Sequence, residues 1–258
     1  MIKFGKLTHP SRNISDEIKR AKKQGFDYVE IGIETPNDFN AIRKNKSSIK
    51  EALAGLEYLP LGHTTWWYDL SSPYELVRKA WVNQAKNDIN IAGELGIKLL
   101  NFHFMVLSGI LLRERNSRKV VLDNYIKSLG ELSDYAKKKN VVLMFENGEE
   151  KFEYYRYVID KTPNLMVHFD VGHAFISGRM KGVCRFFSYF KNRIAHIHMH
   201  DNRGDKDEHL PLKKGKIKWK IVASLLKKYN YDKTITFEVF TSDKDLTKSR
   251  YYFKKLLN

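Results

Sequence analysis

Short apolar runs of strand length alternate along this chain with longer stretches whose apolar residues recur at helical spacing, and the cycle can be counted eight times. The strand-length runs are Ile2–Leu7, Asp27–Ile33, Tyr58–His63, Ile97–His103, Val141–Glu146, Leu165–Asp170, Ile194–His200 and Thr234–Phe240. Helical patterns follow at Ser15–Gln24, Lys46–Leu56, Pro73–Leu95, Arg118–Lys139, Glu150–Asp160, Lys181–Phe190, Trp219–Lys228 and Asp243–Leu257. Ser15, Pro73 after Ser71-Ser72, and Asp243 suit helix starts, while Gly25, Gly96 and Asn140 suit helix ends. With no linker or break in composition, the alternation predicts one α/β domain over residues 1–258. Its expected fold is a single (β/α)8 TIM barrel of eight parallel strands.

Polar residues inside these strands keep to one parity. Asn101 pairs with His103, His168 with Asp170 and Thr236 with Glu238, while Leu100, Phe102, Leu143, Phe145, Val167, Phe169, Ile235 and Phe237 hold the other. In a barrel the apolar set faces the helices and the polar set the interior. The last inward residues, at the mouth where such barrels keep their sites, are then His63, His103, Glu146, Asp170, His198 or His200, and Glu238. A barrel without chemistry fills those layers with Val, Ile and Leu.

The densest chemistry lies between Ile194 and Trp219. His196, His198 and His200 share one strand face, and Asp207 and His209 follow at x+2 spacing in a loop. Imidazoles and a carboxylate so close together suit zinc or a similar ion. The bland alternative is a histidine-rich strand satisfied internally beside a solvated loop. One layer below the mouth, Asn101, His168, His196 and Thr236 read either as partners that orient the ligands or as satisfied core residues. His173 stands where the sixth strand turns into its loop, placed either to reach the mouth or to cap the turn.

Composition narrows the class. At 42% hydrophobic residues the chain can bury a sizeable core, and no run of about 18 apolar residues suggests a membrane span. The start MIKFGKLTHP lacks the order of a signal peptide, which gives a cytoplasmic expectation. With Cys184 alone, an intramolecular disulfide and a thiolate zinc site are excluded, so any metal is held by nitrogen and oxygen. The formal charge of +16 suits a polyanionic partner, or equally the basic solvated faces of a lysine-rich protein.

The pieces LGHTTWW, LLNFHF, LMFENG, VHFDVGHAF, IHMHDN, DEH and ITFEVF resemble the xylose-isomerase-like barrel superfamily, which includes endonuclease IV and many sugar isomerases and epimerases. Endonuclease IV holds three zinc ions with nine ligands, and the matching residue type stands at each motif position here. The resemblance implies one ion on His63, His103 and Glu146, and a second on Glu146, Asp170, His198 and Glu238. A third would take His173, Asp207 and His209, giving up to three divalent ions per chain, zinc by expectation and manganese as an alternative. The flanks depart from that enzyme: Phe104-Met105 follows His103, and Met199-His200-Asp201-Asn202 follows His198. Asp207 and His209, in turn, have no counterpart in typical one-metal epimerases.

Two activities follow. The first expectation is phosphodiester hydrolysis at abasic sites in DNA, with Glu146 positioning a hydroxide and Trp66 and Trp67 wedging into the base stack. The second is isomerisation or epimerisation of a small sugar or sugar phosphate. There Glu146 and Glu238 form the acid/base pair, Arg203 receives a phosphate, and the tryptophans stack on the sugar. Ligand number and charge place hydrolysis first.

Overall fold

The computed structural model describes residues 1–258 and contains one closed barrel of eight parallel strands in sequential order. The strands are β1 (Lys3–Leu7), β2 (Tyr28–Ile33), β3 (Leu61–Thr64), β4 (Leu99–His103), β5 (Val142–Glu146), β6 (Met166–Asp170), β7 (Ile194–Met199) and β8 (Thr234–Phe237). Around them run α1 (Ile14–Lys23), α2 (Phe39–Lys44), α3 (Lys46–Leu53), α4 (Glu75–Leu95), α5 (Arg115–Lys137), α6 (Phe152–Asp160), α7 (Val171–Phe190), α8 (Trp219–Lys228) and α9 (Asp243–Leu257). No helix is long and apolar enough to cross a membrane. Gly25, Gly96 and Asn140 carry positive φ after their helices, as their capping role requires.

Side-chain parity organises the layers. Outward residues pack on the helices: Phe145 stacks on Tyr155 of α6 at 5.6 Å between ring centroids, and Phe169 on Phe186 of α7 at 4.8 Å. Inward positions carry the polar side chains at the mouth, with residues such as Met144, paired with Asn101, and Gly5 in the layers below. A Cβ on Gly5 would lie 2.3 Å from the Tyr28 ring, so only glycine leaves room for that phenol, which meets the Thr236 hydroxyl at 3.0 Å. Register then levels the mouth: His103 pairs with Glu146 across β4–β5, and a shift at Val167/His168 brings Asp170 beside His198 across β6–β7.

Among the departures from the sequence pattern, three have a clear local cause. β3 starts after Pro60 rather than at Tyr58, because proline has no N–H for the ladder; Tyr58 and Leu59 are exposed. The short helix α2 was not expected; Asp38 caps it by accepting from the N–H groups of Asn40 and Ala41. Helix α7 begins at Val171, ten residues before the expected Lys181, since Asp170 ends β6 and also caps the helix. The helix breaks at Gly178–Arg179, where Arg179 has φ 54°, and the expected helix is the part beyond that break.

Candidate metal centre at the barrel mouth

Strand ends deliver the side chains, and their neighbours aim them. Asp170 divides its carboxylate: Oδ1 accepts the His173 N–H at 2.6 Å as the cap of α7, leaving Oδ2 without a hydrogen bond in the mouth. Asn147, just past β5, ties the adjoining strands by exchanging hydrogen bonds with the Asp170 backbone at 2.9 and 3.0 Å. Asp201 fixes the loop after β7 from inside. Its buried carboxylate accepts from the N–H groups of Asn202, Lys213 and Ile217 and from the Trp219 indole, at 2.9–3.1 Å.

The mouth gathers all nine expected ligands. His63 and His103 bring their Nε2 atoms to 3.1 Å, and Glu146 Oε2 stands 3.2 Å from His103 and 3.8 Å from His63. At the floor, His198 Nδ1 faces Glu238 at 3.2 Å, Glu146 at 3.4 Å and Asp170 at 3.9 Å. Towards the rim, Asp207 Oδ2 is 3.2 Å from His173 Nε2 and 2.8 Å from His209 Nε2. Above these groups opens a cavity of about 560 Å³, lined by histidines, carboxylates, Trp66 and the Phe104–Met105 and Asn147–Glu150 segments.

The donor set fits a divalent cation, because the outer nitrogens are already committed. Glu30 can only accept, so His198 and His196 donate their Nε2–H groups to it at 2.8 and 3.0 Å. His173 Nδ1 donates to the Asn147 carbonyl at 3.0 Å, and His209 Nδ1 to the Glu238 carbonyl at 3.1 Å. The inner nitrogens of His173, His198 and His209 therefore confront carboxylates, an arrangement stable only with a proton or a metal ion between them. Buried ring nitrogens of His63, His103, His168, His198 and His200 also lack hydrogen-bond partners.

Charge follows the same logic. Burial pushes the Glu146 carboxyl up, but the imidazoles of His168, His198 and His103 outweigh it and hold its pKa well below the usual range. For Glu30, His198 and His196 likewise overcome burial. Burial lowers His198, yet the carboxylates of Glu238, Glu30 and Glu146 hold it well above an ordinary histidine. His209, beside Glu238 and Asp207, rises to about 9 against its burial, whereas burial and the neighbouring His103 bring His63 down to about 4.

The remaining expected residues divide. Trp66, half exposed, lines the cavity; Trp67 turns into an adjacent groove with Glu34, Tyr68, Trp81 and Asp88. Arg203 lies away from the cavity, because its guanidinium pairs with Glu208 and its backbone N–H donates to the same carboxylate at 2.9 Å. In the layer below, Asn101 donates to Glu146, whereas Thr236 meets Tyr28 and His196 meets Glu30. Sequence reasoning overlooked Glu30. Its signal was the inward parity of Tyr28, Glu30 and Gly32, a carboxylate where a barrel interior expects an apolar or small residue.

A family profile described as xylose isomerase-like TIM barrel matches residues 18–256. An uncharacterized protein of Methanocaldococcus jannaschii is 27% identical over 88% of this chain and 87% of its own length. A probable endonuclease 4 of Aquifex aeolicus is 26% identical over 93% of this chain and 92% of its own. Among solved structures, a D-tagatose 3-epimerase-like protein superposes with a TM-score of 0.87 at 26% identity, covering 99% of this chain and 97% of that one.

Proposed function

The chain belongs to the xylose isomerase-like TIM-barrel family, and within it we propose that this protein is a metal-dependent epimerase or isomerase of small, uncharged polyhydroxy ketones. The cavity lining carries the reading: it holds five carboxylate residues at the mouth and rim (Glu146, Glu149, Glu150, Asp207 and Glu238) and no lysine or arginine. A phosphate ester or a DNA backbone entering there would find imidazoles and carboxylates but no lysine or arginine to pair with, even in a protein of formal charge +16. Arg203, the side chain placed to receive a phosphate, is engaged by Glu208 instead. The likeness to a D-tagatose 3-epimerase-like protein supports the same substrate class.

Glu146, Asp170, His198 and Glu238 would hold the ion. Bound there, it would withdraw electrons from a carbonyl and the adjacent hydroxyl and so acidify the C–H group between them. Glu146 and Glu238 approach His198 Nδ1 as separate carboxylates, at 3.4 and 3.2 Å. One removes the proton from the carbon beside the carbonyl. The other returns a proton to the opposite face, for an epimer, or to the neighbouring carbon with the hydroxyl proton relocated, for an aldose–ketose pair. Neither route gains or loses an atom. Trp66 offers an apolar face that covers the substrate at the rim. Glu150, its pKa raised by burial, also lines the cavity.

Phosphodiester hydrolysis remains the second reading, favoured by the rim ligands His173, Asp207 and His209 and by the relative named as a probable endonuclease 4. The test incubates metal-loaded protein with a panel of free ketoses in deuterium oxide and, separately, with an end-labelled abasic duplex. Expected are deuterium at the carbon next to the carbonyl and an intact duplex, with exchange abolished in Glu146→Gln and Glu238→Gln. Incision without exchange would overturn the proposal in favour of hydrolysis.

A further inference from the structure

His200 is fully buried, yet neither of its ring nitrogens has a hydrogen-bond partner. Leaving such a group unsatisfied is costly, so the position calls for something the protein chain itself does not supply. The ring is placed by a specific vacancy: a Cβ on Gly172 would fall 2.0 Å from its Cε1 and 2.4 Å from its Nε2. Gly172 is the second residue of α7, so the helix start leaves a slot one side chain deep, and the imidazole fills it edge-on. The opposite face stacks on His209 at 4.2 Å between centroids.

Held in that slot, His200 points Nε2 at Asp170 Oδ2, 3.2 Å away, and at Asp207 Oδ1, 3.6 Å away. It can combine with Asp170 and His173, or with His209 and Glu238, into a set whose ligand atoms all lie within 4.8 Å of one another. Asp207 is thus approached by three imidazoles, those of His173, His200 and His209, each through Nε2. The outer nitrogens of His173 and His209 are tied to main-chain carbonyls, which leaves Nε2 as the coordinating atom on both.

We infer that His200 is a metal ligand and that it completes a second, closed metal position with His173, Asp207 and His209. Three imidazoles and one carboxylate fill a tetrahedral sphere and suit zinc or another borderline divalent ion with no place left for substrate. Such an ion is structural. It staples the loop after β7, which carries Asp207 and His209, to the end of β7 and the first turn of α7. The floor quartet, with donors from four strand ends, is left as the position open to substrate. This goes beyond the proposed reaction and does not depend on which chemistry the floor carries out.

The experiment loads the full chain with cobalt(II) and records metal per chain together with the visible spectrum, in which a four-coordinate cobalt absorbs far more strongly than a six-coordinate one. The unaltered chain is expected to retain two ions that survive gel filtration, one giving the intense four-coordinate bands. His200→Asn and Gly172→Ala should each lose one ion and those bands together, while the other ion stays. His198→Asn should lose the other ion and keep the bands. Circular dichroism of the metal-free proteins checks folding, and His200→Gln replaces His200→Asn if the latter does not fold. Two ions and unchanged bands in a folded His200 variant would overturn the assignment, as would loss of both ions, which would put His200 in the floor centre. Because metal content is read without turnover, this result stands apart from the ketose assay.

Discussion

Replacing Glu30 by glutamine removes one charge from the barrel interior while keeping the side chain's shape. Glu30 Oε2 receives the His196 N–H at 3.0 Å and the His198 N–H at 2.8 Å. Both are charge-assisted bonds, each worth about 1.5–3 kcal/mol against about 1 kcal/mol for a neutral pair. The bond to His198 sets the basicity of Nδ1, the atom that would coordinate the ion, so weakening it costs about 1–2 kcal/mol of metal binding. The glutamine oxygen can take the place of Oε2, but its NH2 group then replaces Oε1, which has no hydrogen-bond partner, and leaves a buried donor unsatisfied. Together these effects predict a 10–100-fold loss of affinity at the floor site, the range typical when a partner of a metal-bound histidine is altered. Competition against a chromophoric chelator measures it, with the metal-free melting temperature as a control for folding. A folded Glu30→Gln protein that binds metal as tightly as the unaltered chain would refute the orienting role of Glu30.

Two further outcomes follow from the same geometry. Trp66→Ala should raise the apparent Michaelis constant for the ketose several-fold with a smaller change in kcat, whereas Trp67→Ala, in the adjacent groove, should leave both nearly unchanged; equal effects in steady-state kinetics would show that the two are not distinguished by cavity lining. Asp88, buried beneath Tyr68, has its pKa pushed up to about 7 by burial, against 3.8 for an ordinary aspartate. As pH rises from about 4 to 7 the unfolded chain releases a proton that the folded chain keeps, so folding loses up to about 4 kcal/mol. Asp88→Asn escapes that loss, so its melting temperature relative to the unaltered chain should climb between pH 4.5 and 8 at roughly 2 °C per kcal/mol; a pH-independent difference would contradict it.

Much of the architecture was legible because a βα barrel writes itself into the chain twice, as an alternation of elements and as a parity within strands. His103, Glu146, Asp170, His198 and Glu238 each end an inward row, so their meeting at one mouth follows once the sheet closes. What escaped depends on distances across the barrel or on very local packing. Glu30 is 168 residues from the histidine it orients, and nothing near it in sequence hints at that partner. His200 was visible as the third histidine of an alternating row, but its slot at Gly172 exists only because α7 starts directly after β6. Arg203 and Trp67 were singled out by residue type and proximity to the motifs. A carboxylate five residues along the chain captures the first, and the turn after β3 sets the two indoles edge-to-face, 5.4 Å between centroids and 87° between planes, so that one lines the cavity and the other the adjacent groove. The charge is the least local of these signals: it belongs to the molecule as a whole, and the cavity lining has none of its lysines or arginines.

The Asp201 carboxylate has a kinetic consequence. By binding N–H groups at residues 202, 213 and 217 and the indole of Trp219, it ties both ends of the loop carrying Asp207 and His209 to one buried point. The ordering entropy of that segment is therefore spent when the chain folds, not when an ion arrives. Loading should then proceed as a single fast phase in stopped flow, with a heat-capacity change too small to signal a segment folding around the ion. Asp201→Ala would free the loop, add a slow phase to loading and make that heat-capacity change large and negative. In this protein the readiness of the mouth is set by a residue that touches neither ion nor substrate.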